Sequence, residues 1–219
     1  MTLLLCGLFL FIATHAIRIV AEPLRTALVM RLGEWPYKGL LSVVSLLGFW
    51  LMLTGYAQAR LESVVVWTPP AFLRHITWLL MLLSLVLLVA AYVPRNHLKH
   101  KLKHPMVLSV KVWALAHLLA NGQVHQMVLF ASLLVWAVLS FRAARQRDAL
   151  AAQTSDTPEA QTSDTPDAHA SHSPAPNISP ASALASAITL LLGAALWAAL
   201  LWHFHAQWFG VSPLGAMAA

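Results

Sequence analysis

Ala71–Val93 reads AFLRHITWLLMLLSLVLLVAAYV, 23 residues with one charge, Arg74, near its start. At 1.5 Å per residue this run makes a helix of about 34 Å, enough to cross the roughly 30 Å of hydrocarbon in a bilayer. It is followed by PRNHLKHKLKH (94–104), which is dense in cations, and then by a second apolar run, Pro105–Ala120, that ends at the turn Asn121-Gly122. Two apolar runs around a basic loop are the pattern of a polytopic helical membrane protein.

Working outward, the same test predicts six spans: Thr2–Ala21, Gly39–Ala57, Ala71–Val93, Pro105–Ala120, Gln123–Phe141 and Ala181–Phe204. The fourth is short and must stand nearly upright or cross a thin region. Its Pro105 suits a first helical position, where no amide donor is needed. The first run lacks the basic n-region and the A-x-A site of a signal peptide and reads as a helix. Composition agrees: of 219 residues 59% are hydrophobic and 10% charged, against about 25% charged in a soluble domain. These values exclude an ordinary cytosolic enzyme, a disordered chain and a soluble coiled coil. The expected fold is an all-α bundle of six transmembrane helices.

The formal charge of +6 does not call for nucleic acid, because Lys and Arg set topology and meet anionic headgroups in a membrane protein. Twelve of the fourteen fall on one side: Arg18, Arg25, Arg31, Lys38, Arg95, Lys99, Lys101, Lys103, Lys111, Arg142, Arg145 and Arg147. Arg60 and Arg74 lie on the other. The positive-inside rule then puts both termini on the periplasmic side. The single cysteine, Cys6, excludes an internal disulfide.

The chain divides into a five-helix membrane part (1–145), a linker (146–180), and a sixth helix with its tail (181–219). The linker carries a tandem repeat, QTSDTPEA then QTSDTPDA, and is rich in Pro, Ser, Thr and Ala. Such a segment buries too little apolar surface to order itself and reads as a disordered cytoplasmic linker.

Every acidic residue lies outside the six spans, which argues against a carboxylate-based proton-coupled transporter and removes paired-carboxylate catalysis. No phosphate-binding Gly loop, HExxH or GxSxG is present. Histidine remains. Of eleven, nine lie in or near the membrane, in two layers. His15, His97, His100 and His104 belong to the cytoplasmic layer, and His75, His117, His125, His203 and His205 to the outer one.

Low-spin haem b needs two axial ligands at one depth and an apolar slot. His15 and His104 meet the depth condition, with Arg18 at i+3 from His15 as a partner for a propionate. The alternative is a histidine bonded to a neighbouring helix, with Arg18 snorkelling to the headgroups. Lys111, seven residues after His104, lies on nearly the same face about 10 Å deeper. Its partner is a propionate, a lipid phosphate or backbone carbonyls, unless it snorkels back. His117 lies about 20 Å beyond His104 along the helix and cannot share its metal. It faces His75 or His203, or bonds to the turn. Trp35, Trp67, Trp202 and Trp208 fall at span ends, as interfacial belts require. Trp78, Trp113, Trp136 and Trp197 read as packing residues.

Five stretches carry a family resemblance: THAIRIV (14–20), RLGEWPYKGLLSVVSLLGF (31–49), VVVWTPPAFLRH (64–75), AAYVPRNHLKHKLKHPMVLSVKVWALAHLLANG (90–122) and HFHAQWFGVSP (203–213). They resemble the NnrU family of bacterial integral membrane proteins. The resemblance implies a multi-pass protein of the bacterial inner membrane that supports or senses respiratory nitrite and nitric oxide reduction (denitrification). It implies the components of those reductases as partners, beside the lipid bilayer. The family is also related to the plastid zeta-carotene isomerase, a haem b enzyme that turns a cis double bond trans, so an apolar polyene is the alternative ligand. By that relation His15 and His104 are the haem-iron ligands, Arg18 and Lys111 further haem-binding residues, and His117 an alternative ligand. The isomerase carries a cysteine three residues before its HP histidine. Lys101 stands there in this chain, which leaves a bis-histidine site without a cysteine switch. A metal-free membrane scaffold or assembly factor is the third reading.

Overall fold

The computed structural model of the chain describes residues 1–155 and 181–214. The described residues are almost wholly helical: α1 (Thr2–Val20), α2 (Glu22–Leu32), α3 (Glu34–Ala59), α4 (Leu73–Tyr92), α5 (His97–Leu102), α6 (Pro105–Ala120), α7 (Val124–Ser155) and α8 (Ala183–Ala199). A π-helical turn, Leu200–Phe204, carries α8 into α9 (His205–Phe209). Five helices are long and apolar enough to cross a membrane: α1, α3, α4, α7, and α8 with its continuation to Phe209. The sixth expected span, α6, is an apolar helix of 16 residues, shorter than those five.

Two segments differ from expectation. The loop between the first two spans is largely helical. Pro23 opens α2, and Gly33, at φ 84°, closes it in a conformation that costs a side chain little only when it is absent. The fifth helix does not stop at Phe141 but runs to Ser155. Residues 146–155, expected as the start of the linker, are therefore helical. FRAARQRDALAAQ (141–153) contains good helix formers and no Gly or Pro, so nothing ends the helix. The rest of the expected linker, 156–180, lies outside the described residues.

The long helices pack in the spatial order α3–α1–α7–α6–α4–α8. One cluster of apolar side chains joins four of them: Leu4 and Leu8 of α1, Met52 and Ala59 of α3, Ala114 of α6 and Leu133 of α7. Phe9, Leu46, Trp50, Leu79, Val135 and Leu191 are exposed, an arrangement suited to contact with acyl chains. The α4–α6 seam is tied by small polar groups. Ser84 Oγ donates to the Ser109 carbonyl at 3.0 Å, and Thr77 Oγ1 to the Ala116 carbonyl at 3.3 Å. Small polar side chains hold membrane helices together in this way.

The end of the bundle opposite the basic loops is drawn shut by the C-terminal segment. Arg60, past the end of α3, donates to the Phe209 carbonyl at 3.0 Å, and Arg74 at the start of α4 to that of Leu214 at 3.2 Å. Trp78 Nε1 donates to Pro213 O (3.3 Å), and Trp197 Nε1 to Trp78 O (2.9 Å). The two arginines that depart from the positive side thus cap carbonyls. An Arg60→Ala/Arg74→Ala double variant is expected to admit protease into 205–214 while leaving the helical content unchanged. Cleavage at the wild-type rate would show that the two contacts do not hold the segment.

Candidate functional site

Helix α7 lies between α1 and α6 and serves as a ruler for the predicted ligands. On its α1 side, the His15 ring meets Trp136 edge-on, centroids 5.7 Å apart, and stacks on Phe11 of its own helix at 4.2 Å. His15 Nδ1 is 2.7 Å from the Phe11 carbonyl oxygen, which can only accept, so Nδ1 carries the proton. Thr14 Oγ1 donates to the same carbonyl at 2.8 Å. Nε2 of this exposed histidine is left with its lone pair. Metal-binding histidines are commonly fixed in this way, with the other ring nitrogen donating to a backbone carbonyl. Arg18 is exposed one turn further toward the basic end.

Beside Trp136, α1 and α7 enclose an open groove of about 430 Å³, lined by Ile12, Ala16, Ile19, Val135, Trp136 and Leu139. Its walls are apolar. Trp136 Nε1 and, one turn on, Ser140 Oγ are buried without a partner among the described residues.

On the α6 side, His104 is the N-cap residue of α6, directly before Pro105. Its Nε2 is 3.0 Å from Asp148 Oδ2, with both side chains partly buried. Its ring lies 6.4 Å from Phe141, edge-on. Lys111 holds its ammonium 5.8 Å from the centroid of the same Phe141 ring. A cation over an aromatic face is the partner this lysine finds, and it belongs to none of the classes expected from sequence.

The two predicted ligands are not brought together. Two imidazoles on one iron place their nitrogens about 4 Å apart, twice a metal–nitrogen bond of about 2 Å. His15 stands at the level of Trp136, and His104 between the levels of Phe141 and Asp148. Phe141 lies five residues of helix, about 7.5 Å, beyond Trp136, and Asp148 twelve residues, about 18 Å. The two rings also meet different sides of α7.

The outer histidines take separate hydrogen-bond and ring partners, though His205 lies close enough to His117 to act on it electrostatically. His117 Nδ1 bonds to the Trp113 carbonyl at 2.9 Å, and its ring packs on Phe130 at 4.6 Å. His75 meets Trp78, and His203 meets Phe204. Among the described residues, no three His, Cys, Asp or Glu side chains come together to hold a metal ion.

Sequence reasoning missed the contact of Asp148 and placed His125 in the outer layer without its partners. Asp148 gave a readable signal: Phe141, Ala144 and Asp148 follow at i, i+3 and i+7, one helix face, once the helix is known to continue. His125 gave none. It is 2% exposed, bonds Ser63 Oγ through Nδ1 at 3.0 Å, and meets Tyr56 edge-on at 4.8 Å. That contact depends on the 60–72 loop folding back, where Val65 pairs with Gln123.

Five long apolar helices and one heavily basic end define a polytopic helical membrane protein. The family model described as NnrU protein matches residues 3–213, and the chain belongs to the NnrU family. Neither a curated protein sequence nor a solved structure matches it.

Proposed function

We propose that this NnrU-family chain binds haem b through His15 and supports or senses respiratory nitrite and nitric oxide reduction in the bacterial inner membrane, in contact with components of those reductases. The observation that carries the reading is the fixed tautomer of His15, with Nδ1 bonded to Phe11 O and Nε2 unengaged beside an apolar groove. Haem b held there would supply a redox-active centre able to bind small gases. His15 would hold the haem iron through Nε2, and Phe11 O would keep its tautomer. Arg18, one turn away, and Lys111, near Phe141, are the cations available to the propionates. In this reading α6 is a sixth span, and both termini are periplasmic, as twelve cations at one end require.

The groove favours a second reading, a haem-dependent cis–trans isomerase of a polyene, because its apolar walls suit a conjugated chain beside His15. The two readings separate by host: the first predicts a growth defect on nitrate when the gene is deleted, the second an accumulated cis polyene.

The test common to both is the absorption spectrum and pyridine haemochrome of protein purified from haem-supplied cells. Wild-type protein is expected to carry close to one haem b per chain. His15→Ala is expected to lose it while remaining in the membrane, and His117→Ala to keep it. A featureless visible spectrum from folded wild-type protein, or full haem content in His15→Ala, would overturn the reading.

A further inference from the structure

Lys111 is the one lysine or arginine in α6, seven residues into an otherwise apolar helix. Its ammonium lies 5.8 Å from the centroid of the Phe141 ring, and it forms no ion pair among the described residues. We infer that Lys111 and Arg145 form a binding site for the phosphodiester of an anionic phospholipid, whose acyl chains follow the outward face of α6. The inference does not rest on the haem reading. Where haem is bound as well, Arg18 is the cation left to its propionates.

Three observations carry it. First, charge at this end is unbalanced. Among the described residues, Glu22 pairs with Arg25, Glu34 with Lys38, and Asp148 with His104. Every carboxylate described there is engaged, and Lys111 and Arg145 are left without an anion. The Phe141 ring offsets only part of the cost of an ammonium beside hydrocarbon, because a ring quadrupole carries no net charge. Second, the register of α7 brings a second cation to the same ring. Arg145 follows Phe141 by four residues, one turn toward the basic end on the same side of the helix, and is exposed. Phe141 closes the apolar run of α7, and RAARQR (142–147) follows, so the ring marks headgroup depth. An ammonium below and a guanidinium fork above suit one phosphate between them. Third, the face is open to lipid. Leu115, one turn deeper than Lys111 on the same side of α6, is 41% exposed. Acyl chains hanging from a phosphate at Lys111 would run along it, whereas a water-soluble acidic protein has no path to a cation set among apolar side chains. Headgroup choice follows from Asp148. Its carboxylate is taken by His104, so nothing there receives the amine of a zwitterionic lipid, and a headgroup of net negative charge is favoured.

The test uses readouts that need no haem. Full-length wild type, Lys111→Met, Arg145→Gln and Arg147→Gln are placed in nanodiscs of phosphatidylcholine, alone or mixed with phosphatidylglycerol. Retained lipid is counted by native mass spectrometry, and thermal unfolding is followed in parallel. Wild-type protein is expected to retain phosphatidylglycerol over phosphatidylcholine and to melt higher when phosphatidylglycerol is present. Lys111→Met and Arg145→Gln are each expected to lower that preference about fivefold, the worth of one cation near an anionic lipid surface. Arg147 is also exposed but lies two residues on, on the opposite side of α7, so Arg147→Gln is expected to keep the full preference. If Lys111→Met does not fold, Arg145→Gln, at an exposed position, decides. Equal retention of the two lipids by wild type would overturn the inference. So would a loss in Arg147→Gln as large as in Arg145→Gln, which would make the effect one of general surface charge. Inorganic phosphate raising the melting temperature as much as phosphatidylglycerol would overturn the lipid as the source of the anion.

Discussion

Gly55→Val is expected to abolish folded, monodisperse protein, and Gly7→Val to do the same. A Cβ at Gly55 would overlap the backbone of α1, 2.6 Å from Leu3 C and 2.7 Å from Leu4 Cα, with Leu4 N closer still. A Cβ at Gly7 would strike Met52 N, and would lie 2.8 Å from both Gly48 O and Leu51 C. At Gly48 it would lie 2.7 Å from Phe11 N. These obstacles are backbone, which no rotamer change relieves. Overpacking a core costs about 1–3 kcal/mol where side chains can yield, and separating two helix axes costs more. Within lipid, close van der Waals packing is what joins helices, so losing it removes the main attraction between α1 and α3. Gly39 provides the control, for a Cβ there meets nothing within 4 Å. Thermal unfolding and size-exclusion profiles in detergent check the pair. A Gly55→Val protein that melts like Gly39→Val would refute the packing.

Asn96→Ala is expected to lower stability by roughly 2–4 kcal/mol, from one lost cap and two stranded carbonyls. Asn96 is 0% exposed. Its Oδ1 accepts from Lys99 N at 2.7 Å and caps α5, while its Nδ2 donates to Ala90 O at 2.8 Å and Val93 O at 2.6 Å. The need is set by the sequence. Pro94 has no amide hydrogen to give the carbonyl of Ala90 four residues back. The amide of His97, which would serve Val93, turns instead to Ser186 Oγ at 3.0 Å. Asn96 fills both vacancies. A shift of this size is expected to lower the melting temperature by about 4–16 °C for a chain of this length. Because α5 leads directly into His104, hydrogen exchange at residues 97–106 is expected to rise with it. An unchanged melting temperature would show that water replaces the side chain at no cost.

Much of the helical layout was legible in the chain. Pro105–Ala120 has the predicted bounds and the first and third spans come within two residues of theirs, while the second helix starts five residues earlier, at Glu34, the fifth runs on to Ser155 and the last continues to Phe209. Long apolar runs are visible in composition because hydrocarbon thickness dictates their length. The end of α7 was not, because the boundary of the apolar run was taken for the boundary of the helix. Arg142 to Asp148 leave the hydrocarbon but keep helical propensity. His15 and Lys111 were found as polar residues in apolar helices. Their partners, Phe11 O with Trp136 and the face of Phe141, were not, since no spacing rule reports which ring a neighbouring helix presents.

The sequence by itself determined that the protein is helical and membrane-embedded, and which of its loops are basic. Each follows from local composition, read against a solvent of fixed thickness. The tertiary structure decided that α7 stands between α1 and α6, that glycines weld α1 to α3, and that Asp148 takes the nitrogen of His104. Those outcomes depend on which faces of separate helices meet. Close approach and hydrogen bonding act across space, between residues as distant in sequence as His104 and Asp148, or Gly7 and Gly48.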